Sequence, residues 1–469
     1  MTQAAIASAP ISAPVLPAGF SNSIARLTAS EFLDLLRRDE ITVLEYTQAC
    51  ADVIDRLESD LLAWTWYRRG DFEEKARQVD AALRAFRRNG GAVGTLPGAM
   101  TGVPVGVKDI YNTADMPTCH GSTIFADYRP GNDARIVTNL RREGSIVAGK
   151  TVTAEFAVHE PGKTRNPYDL RRSCGTSSSG SAAAVATAMV PVSLASQTAG
   201  STIRPASYCG VYGFKPSYGL FPRTAMLKTT DTLDSVGFMA RSLPDLRLLF
   251  EVMRVRGLNY PIVDAAFADP ERLSIGNRPW RVGVLEGPKS HLESIAVKDG
   301  VRRIARKLAD QGCEVIPMRL PVEFESAHDV HETIYRRSLA YYFRMEWASH
   351  SDHFSAQLAA MFGGGEKITA DEYHAALAAQ ARLAQQFDQW MSQADVVICP
   401  STADEAPIGL DTPDIPDHCL LFTLCYAPAL SMPVLSGTSG MPVGLQIACR
   451  RFNDYILMEF TNFLASISR

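Results

Sequence analysis

The sequence predicts an α/β fold: one large domain with a central mixed β-sheet flanked by helices. Short runs of β-branched residues, at 103–107 and 146–148, alternate with helical stretches such as 133–143. Such runs suit strands that helices bury on both faces. The chain has 469 residues, of which 46% are hydrophobic and 21% charged, as is typical of a globular protein. Because it shows no internal repeat and no clear linker, one domain is favoured over several.

Capping residues and hydrophobic spacing predict the individual elements. Residues 28–57 contain two good N-cap residues, Thr28 and Thr42, before apolar residues at helical spacing, which predicts amphipathic helices. Further helices are predicted over 71–88, 133–143, 241–257, 296–311, most of 323–395, and 454–467. Strands are predicted over 103–107, 146–148, 281–285, 313–318, 396–398, 429–434 and 443–448, and residues 214–239 are predicted to be rich in loops.

The domain is expected to span residues 23–469. Residues 1–22 are predicted to form a disordered tail rich in Ala and Pro, without the charged start and continuous apolar core of a signal peptide. The helices concentrated within about 250–395 are expected to form an insertion or a cap on the domain.

Charge and cysteine content exclude several classes of protein. With 47 Lys+Arg against 51 Asp+Glu, the chain lacks the basic excess of a nucleic-acid binder. Nine scattered cysteines without a CxxC pair predict buried free thiols in a reducing, cytoplasmic environment rather than disulfides or zinc. Residues 173–203 carry no charge and are long enough to span a bilayer. Because their many hydroxyls and Pro191 are costly in lipid, no membrane helix is expected.

Two further patterns match ligand-binding motifs, but the surrounding sequence does not support a ligand site at either. Residues 144–151 match the phosphate-loop pattern GxxxxGK[ST], but a helix is predicted before them and the intervening residues favour a buried strand. The pairs His328/His331 and His350/His353 have a metal-ligand spacing, but no Cys or carboxylate completes a set. We interpret both pairs as parts of solvated helix faces, so no metal site is predicted.

The stretch over 173–204, which is uncharged as far as Ile203, concentrates small hydroxyl residues. Small side chains let backbone N–H groups approach a ligand closely, and uncharged surroundings strengthen the dipoles that act there. From composition alone, a Gly/Ser-rich loop in a buried crossover explains this stretch at least as well.

This stretch and others resemble the motifs of the amidase signature family, from about residue 27 to the C-terminus. The matching runs are Gly102-Val-Pro-Val-Gly-Val-Lys108-Asp109, Gly149-Lys150-Thr151 with Glu155-Phe156-Ala157, Gly175-Thr-Ser-Ser-Ser-Gly-Ser181, Ser196-Gln-Thr-Ala-Gly-Ser201-Thr-Ile-Arg-Pro, Leu233-Asp234-Ser-Val-Gly-Phe-Met-Ala240 and Met441-Pro-Val-Gly-Leu-Gln446. Long motifs of this kind are specific, and they explain the false phosphate loop as a family feature.

The resemblance implies the fold of that family and a Ser–cis-Ser–Lys triad. Ser201 matches the nucleophile, Lys108 matches the base, and Ser177 matches the bridging serine that follows a cis peptide, here Thr176–Ser177. A hydroxyl is a weak nucleophile until a base removes its proton, and a lysine is a base only when burial keeps it neutral. A second serine can accept and donate a proton at once.

The remaining site residues are also implied by the resemblance. Ser178 and Ser181 are expected to orient the bridging serine, and no metal or organic cofactor is implied. The oxyanion hole is expected to consist of the backbone N–H groups of Thr198, Ala199, Gly200 and Ser201.

The sequence departs from the family pattern at several positions. Thr176 stands where a second Gly is usual, Ser179-Gly180 replaces a Gly-Gly, and Ala199 replaces a Gly beside the nucleophile. Gln197 stands where an Asp is common, which removes a charge behind the site. Arg204 lies three residues after Ser201 rather than two; an ion pair and a contact with a polar or acidic substrate group are both open interpretations.

These expectations predict a serine hydrolase of small-molecule amides, with carbamates (urethanes) and aryl esters as further substrates. The alternative is the glutaminase subunit of a tRNA-dependent amidotransferase, which passes ammonia to partner subunits. Cys174 and Cys209 flank the site as rival nucleophiles, but neither has a histidine in an interpretable motif; sequence alone does not place His120 or His159 near them. A homodimer is a further expectation by analogy with the family.

Overall fold

A continuous mixed sheet of eleven strands forms the centre of the molecule in the computed structural model, which describes residues 23–92, 94–158 and 162–468. The strands of the described residues are β1 (Trp64–Tyr67), β2 (Pro104–Lys108), β3 (Ile146–Thr151), β4 (Arg165–Asn166), β5 (Asp169–Ser173), β6 (Val192–Gln197), β7 (Tyr212–Lys215), β8 (Ser235–Ala240), β9 (Arg281–Glu286), β10 (Glu314–Arg319), β11 (Val396–Pro400), β12 (Ala429–Ser436) and β13 (Pro442–Ala448). The sheet order is β1-β3-β2-β6-β8-β7-β12-β13-β11-β9-β10, and β4 and β5 form a separate ribbon.

Helices flank this sheet. Within the described residues they are α1 (Ala29–Arg37), α2 (Val43–Leu61), α3 (Arg69–Arg88), α4 (Arg135–Arg142), α5 (Ser179–Ala186), α6 (Ile203–Tyr208), α7 (Leu243–Met253), α8 (Pro261–Ala268), α9 (Ile295–Asp310), α10 (Ala327–Tyr342), α11 (Arg344–His350), α12 (Ala356–Glu366), α13 (Ala370–Trp390), α14 (Cys419–Leu424) and α15 (Asp454–Ser468). The predicted α/β class and the single large domain with a mixed sheet are therefore confirmed. Thr28 and Thr42 each form a capping box, with Glu31 and Glu45, as their spacing predicts.

Three neighbouring parallel strands bring several of the sequence motifs to one edge of the sheet. Strand β2 lies between β3 and β6 and runs parallel to both. Its Val107 is level with Lys150 on β3 and with Leu194 on β6. Because parallel strands end at the same edge, Lys108, the last residue of β2, lies beside the end of β6.

The run 144–151 is not a phosphate loop. Its residues 146–151 form β3, a fully buried strand, and helix α4 precedes it, as the sequence indicates. Lys150 points into a buried ion pair, with its Nζ 2.9 Å from Asp109 Oδ1. The fully buried side chain is further satisfied by Thr118 Oγ1 at 2.7 Å, so Lys150 has a structural role.

Helix α5 explains why small residues crowd the stretch before residue 187. It packs against β2, β3, β6 and β8, and all of its residues are buried. A Cβ at Gly180 would collide with Ala63 O and Val152 N, so only glycine permits this approach. The segment 173–203 is thus a loop, a short helix and a strand, and none of the described helices is long and apolar enough to cross a membrane.

The helical region within 250–395 has two parts. Strands β9 and β10, both predicted, belong to the main sheet and form one of its edges. Helices α10 to α13, between 327 and 390, are named the cap; α10 packs on α12 and α13 and reaches α14. That this region is an insertion or covers the domain stays a prediction.

Some elements were not predicted. Strands β1, β6, β7 and β8 are absent from the sequence prediction, and β7 and β8 overlap the ends of the region 214–239 that was expected to be loop. Strands β6 and β8 pair antiparallel with each other, and both are fully buried. The tail predicted over 1–22 lies outside the described residues. All nine cysteines are free and eight are buried, which confirms the prediction for their thiols.

Two helical glycines provide a matched test of the α5 packing. Gly180→Ala is expected to lower the free energy of unfolding by roughly 3 kcal/mol, because its methyl meets backbone atoms that cannot move aside. At Gly363, in α12, a Cβ meets nothing within 4 Å, so Gly363→Ala is expected to stabilise the protein by up to about 1 kcal/mol. Urea unfolding of both variants measures the difference; equal stability of the two would contradict the packing described here.

Candidate active site

Lys108 is the centre of a cluster of hydroxyl groups. Its side chain is fully buried, and its Nζ lies 2.7 Å from Ser177 Oγ, 2.9 Å from Ser178 Oγ and 2.8 Å from Ser196 Oγ. The structure thus brings together Lys108, Ser177 and Ser178, as predicted. Ser196 was not predicted, although it lies within a motif that was singled out.

The peptide bond between Thr176 and Ser177 is cis, as the resemblance implies. Contacts on both sides hold this bond in place. Thr176 N and Oγ1 donate to Asp414 Oδ2 at 3.1 and 2.8 Å, and Ser177 O accepts from Ala154 N at 3.1 Å.

Ser201 lies in the loop between β6 and α6 and is partly exposed, whereas the residues around it are buried. Its carbonyl oxygen accepts a hydrogen bond from Ser178 N, at 3.3 Å. This bond joins the loop of Ser201 to the segment that carries Ser177. The predicted nucleophile and the predicted bridging serine therefore belong to two directly connected segments.

Three donors hold three successive carbonyl groups of the loop before Ser201. Thr198 O is 2.8 Å from His331 Nε2 on α10, and Ala199 O accepts from Thr423 Oγ1 on α14 at 2.9 Å. Gly200 O accepts from Arg204 N at 2.9 Å. Because a trans peptide is planar, the next residue's N–H points away from each held carbonyl.

The N–H groups of Ala199, Gly200 and Ser201 each point away from a carbonyl that is held in this way. No described residue accepts a hydrogen bond from any of these three groups. A Cβ at Gly200 would lie 2.7 Å from Arg204 Nη2 and 3.0 Å from Cys419 Cβ, so a larger residue there would displace the Arg204 side chain. Three such donors beside a serine suit the binding of a developing oxyanion.

Gln197 stands where an Asp is common in the family. Both the oxygen and the nitrogen of its side-chain amide form hydrogen bonds. Its Oε1 accepts from Thr202 N at 3.0 Å and from Ile203 N at 3.1 Å, at the start of α6. Its Nε2 donates to Thr423 Oγ1 at 3.0 Å, and that hydroxyl holds Ala199. A neutral side chain thus supports the loop without a charge behind it.

Arg204 forms the ion pair that was one of its two open interpretations. Its Nε lies 2.7 Å from Asp417 Oδ2 and its Nη1 lies 3.2 Å from Asp414 Oδ2. Asp414 also accepts from Thr176, so it connects Arg204 to the cis peptide. The side chain is buried. A contact between Arg204 and a substrate stays a prediction.

Ser181 differs from Ser178 in its contacts. Ser181 Oγ donates to Leu194 O at 2.7 Å and lies 2.7 Å from Thr151 Oγ1. It therefore links α5 to strands β6 and β3, and it lies three positions after Ser178 in the chain. A supporting role for Ser181 in orienting Ser177 stays a prediction.

Burial dominates the electrostatics of the site. Loss of hydration lowers the pKa of Lys108 well below its usual value of 10.5, and the negative charge of Asp234 opposes only part of this shift. The Asp234 carboxylate is itself held by Thr198 Oγ1 at 2.8 Å and by Thr229 N at 2.8 Å.

The interpretation of His331 as part of a solvated helix face is wrong. His331 is only 2% exposed, because it shares one face of α10 with residues that pack into the protein. Ile334, Tyr335 and Ser338, three, four and seven positions later, are also buried. This helical spacing is the signal that could have placed His331 inward. His350 and His353 are exposed, as expected.

The rival thiols lack the features of nucleophiles. Cys174 is fully buried, and burial raises the pKa of its thiol. His120 is buried among Phe125 and Tyr128, and His159 lies outside the described residues. Across the described ranges, no group of three or more His, Cys, Asp and Glu side chains has the arrangement of a metal site.

Comparison with known proteins identifies the family. The family model described as Amidase matches residues 45–458. The chain belongs to the amidase family. It is an enzyme of the carbon–nitrogen hydrolase type, and the predicted resemblance to amidase signature proteins is confirmed.

Curated relatives and solved structures cover nearly the whole amidase chain. The A subunit of glutamyl-tRNA(Gln) amidotransferase from Roseiflexus sp. (strain RS-1) is 30% identical over 92% of this chain and 95% of its own length. The corresponding protein from Nocardia farcinica is 32% identical over 91% and 95%. The native peptide amidase from Stenotrophomonas maltophilia is 25% identical, with a TM-score of 0.80, over 95% of this chain and 97% of its own.

A further solved structure, of 6-aminohexanoate cyclic dimer hydrolase complexed with substrate, has a TM-score of 0.81 over 95% of this chain and 97% of its own. At 23% identity, it shows the shared fold alone.

In this amidase, the Thr423 hydroxyl provides a test of the loop support. Thr423→Val keeps the shape but leaves Ala199 O and the Gln197 amide without a partner, which is expected to cost about 1–3 kcal/mol of unfolding free energy. Thr423→Ser keeps the hydroxyl and is the matched control, with a smaller expected loss. Chemical denaturation measures both; a valine variant at least as stable as the serine variant would contradict the hydrogen-bonding role.

Proposed function

We propose that this chain is a free-standing serine amidohydrolase, which cleaves the carbon–nitrogen bond of small-molecule amides through an acyl-enzyme on Ser201. The observation that carries the proposal is the buried amine of Lys108, 2.7 Å from the Ser177 hydroxyl. Because burial lowers the pKa of this amine, a neutral lysine is available as a base at lower pH than for an ordinary lysine.

The three hydroxyl groups around Lys108 can accommodate the neutral form of its amine. A neutral amine has two N–H donors and one lone pair. It can donate to Ser178 Oγ and Ser196 Oγ while its lone pair accepts the proton of Ser177. This arrangement aims the only basic electron pair at the bridging serine.

The proposed reaction moves one proton along this path. Ser201 Oγ attacks the substrate carbonyl carbon as its proton passes to Ser177 Oγ and the proton of Ser177 passes to Lys108 Nζ. The tetrahedral oxyanion accepts hydrogen bonds from the N–H groups of Ala199, Gly200 and Ser201. On collapse, the proton returns along the same path to the leaving nitrogen, and the carbon–nitrogen bond breaks. Water, activated by the same relay of Ser177 and Lys108, then attacks the acyl-enzyme and releases the acid.

The proposed substrates are small molecules. A cavity of about 130 Å³ is lined by Arg223, Met226, Leu227, Lys228 and Asp234, and Asp234 also accepts a hydrogen bond from Thr198 Oγ1 in the loop before Ser201. Apolar and charged groups both contribute to its wall. Carbamates and aryl esters pass through a similar tetrahedral intermediate, and we propose them as further substrates. The homodimer and the cytoplasmic location stay predictions.

The second candidate function is that of a glutaminase subunit of a tRNA-dependent amidotransferase. The observation that favours it is the 30–32% identity to amidotransferase A subunits over almost the full chain. In that case the same triad would release ammonia from glutamine for partner subunits. The neutral Gln197 and the methyl group of Ala199, both departures from the family pattern, favour the free-standing enzyme.

Labelling with a fluorophosphonate, run beside a panel of amides, carbamates and esters, tests the proposed function. The purified chain is expected to label at Ser201 and to hydrolyse simple amides or p-nitroanilides without partners. One tryptic peptide, 173–223, contains both Ser177 and Ser201, so fragment ions must locate the label. Ser201→Ala is expected to lose labelling and turnover. Full turnover by Ser201→Ala would refute the proposal, and activity only with co-expressed partners would favour the glutaminase.

The pH profile of kcat/KM tests the state of Lys108. Because its pKa is lowered, the neutral base is present at lower pH than for an ordinary lysine, and activity falls as the pH drops through that pKa. Lys108→Arg is expected to reduce kcat/KM by about 10²–10⁴-fold at every pH, since a guanidinium stays protonated. A Lys108→Arg enzyme with the wild-type rate and the same acidic limb would exclude Lys108 as the base.

A further inference from the structure

One side chain of the cap reaches the loop proposed as the oxyanion hole. His331, on α10, is 2% exposed, and its Nε2 lies 2.8 Å from Thr198 O. A carbonyl oxygen only accepts hydrogen bonds, so Nε2 carries the proton in this contact. The ring of Tyr335, one turn further along α10, packs edge-on against the imidazole, with the ring centroids 5.7 Å apart. The imidazole is thus held on both its polar and its apolar side.

The contact acts on the N–H at the other end of the same peptide group. The Thr198–Ala199 peptide is planar and trans, so the direction of Thr198 C=O determines the direction of Ala199 N–H. A hydrogen bond to the oxygen also polarises the group and strengthens its N–H as a donor. No described residue accepts a hydrogen bond from Ala199 N.

We propose that His331 is a positioning residue for the oxyanion hole, which it completes by fixing the Thr198–Ala199 peptide with Ala199 N–H turned toward the reacting oxygen. This inference rests on the proposed function, since it assigns a role within that catalytic site.

The Ala199–Gly200 and Gly200–Ser201 peptide groups of the loop have hydrogen-bond donors from other elements. Ala199 O is held by Thr423, which belongs to α14, and Gly200 O is held by the backbone of α6. Only the Thr198–Ala199 peptide, among these three, is held by a residue of the cap. The geometry of the oxyanion hole therefore depends on where α10 sits, and the imidazole of His331 links the docking of the cap directly to the catalytic loop.

Three substitutions at this position separate a positioning role from a packing role. His331→Leu fills the space but removes the donor. His331→Gln and His331→Asn both carry an amide, but only the glutamine side chain is long enough to place its nitrogen where Nε2 lies. His350→Gln, at an exposed position of the cap, controls for the loss of a histidine. Ser201→Ala reports on the proposed function separately, and thermal unfolding reports on the fold of every variant.

The readouts are the rate constant of fluorophosphonate labelling, the Ki of an aryl trifluoromethyl ketone, whose serine adduct carries an oxyanion, and kcat and KM for the best amide of the panel. His331→Leu and His331→Asn are expected to slow labelling and kcat and to weaken the ketone by about five- to tenfold each, the effect of one neutral hydrogen bond. KM is expected to stay constant, because the contact acts on the transition state. His331→Gln and His350→Gln are expected to remain within about twofold of wild type.

The outcomes separate the two levels of the proposal. If Ser201→Ala is inactive while the leucine and asparagine variants match wild type, the positioning role is refuted and the proposed function stands. If glutamine and asparagine impair the enzyme equally, the role of His331 is packing and the inference is also refuted. If Ser201→Ala keeps its turnover, the proposed function fails and the inference fails with it. If the leucine variant does not fold, the glutamine and asparagine pair decides the question alone.

Discussion

The burial of the Lys108 amine among three serine hydroxyls is the constraint on which the rest of the site depends. An ammonium removed from water is costly unless a nearby charge compensates it, and here the neighbours within hydrogen-bonding distance are hydroxyl groups. The fold meets this cost by lowering the pKa of the amine. The parallel strands β2 and β6, together with the cis peptide before Ser177, bring the hydroxyls to it. Burial thereby destabilises the charged form of the amine, as the proposed role of Lys108 as a base requires.

Uncharged side chains also support the loop before Ser201. The loop before Ser201 is oriented by donors to its carbonyl groups, and one of these donors, Thr423, is in turn held by Gln197. The ion pairs of Arg204 with Asp414 and Asp417 connect the loop of the cis peptide to helix α6. Charged pairs thus join segments, whereas uncharged side chains hold the carbonyl groups of Thr198 and Ala199.

Much of this arrangement could be predicted from the sequence, because long motifs specify residues that act through local backbone geometry. The motifs singled out Lys108, Ser177 and the cis peptide, and the predicted strand over 103–107 placed Lys108 at a strand end. Contacts between distant segments were not predictable. Ser196 meets Lys108 only through the register of β2 and β6, and β6 was hidden within an uncharged Ser/Ala run that has no alternating pattern. His331 contacts Thr198, which lies 133 positions away in the sequence. The sign in the sequence that His331 is buried was its helical spacing from other buried residues of α10.

The protonation state of Lys108 in the folded protein tests the central claim most directly. NMR of protein labelled with ¹³C at lysine Cε, with Lys108→Arg used to assign the resonance, follows this one amine through a pH titration. The account predicts a Lys108 signal in the neutral form at pH values where the exposed lysines are still charged, with a midpoint well below 10.5. A midpoint at or above 10.5 would show a charged amine at the site and would contradict the account.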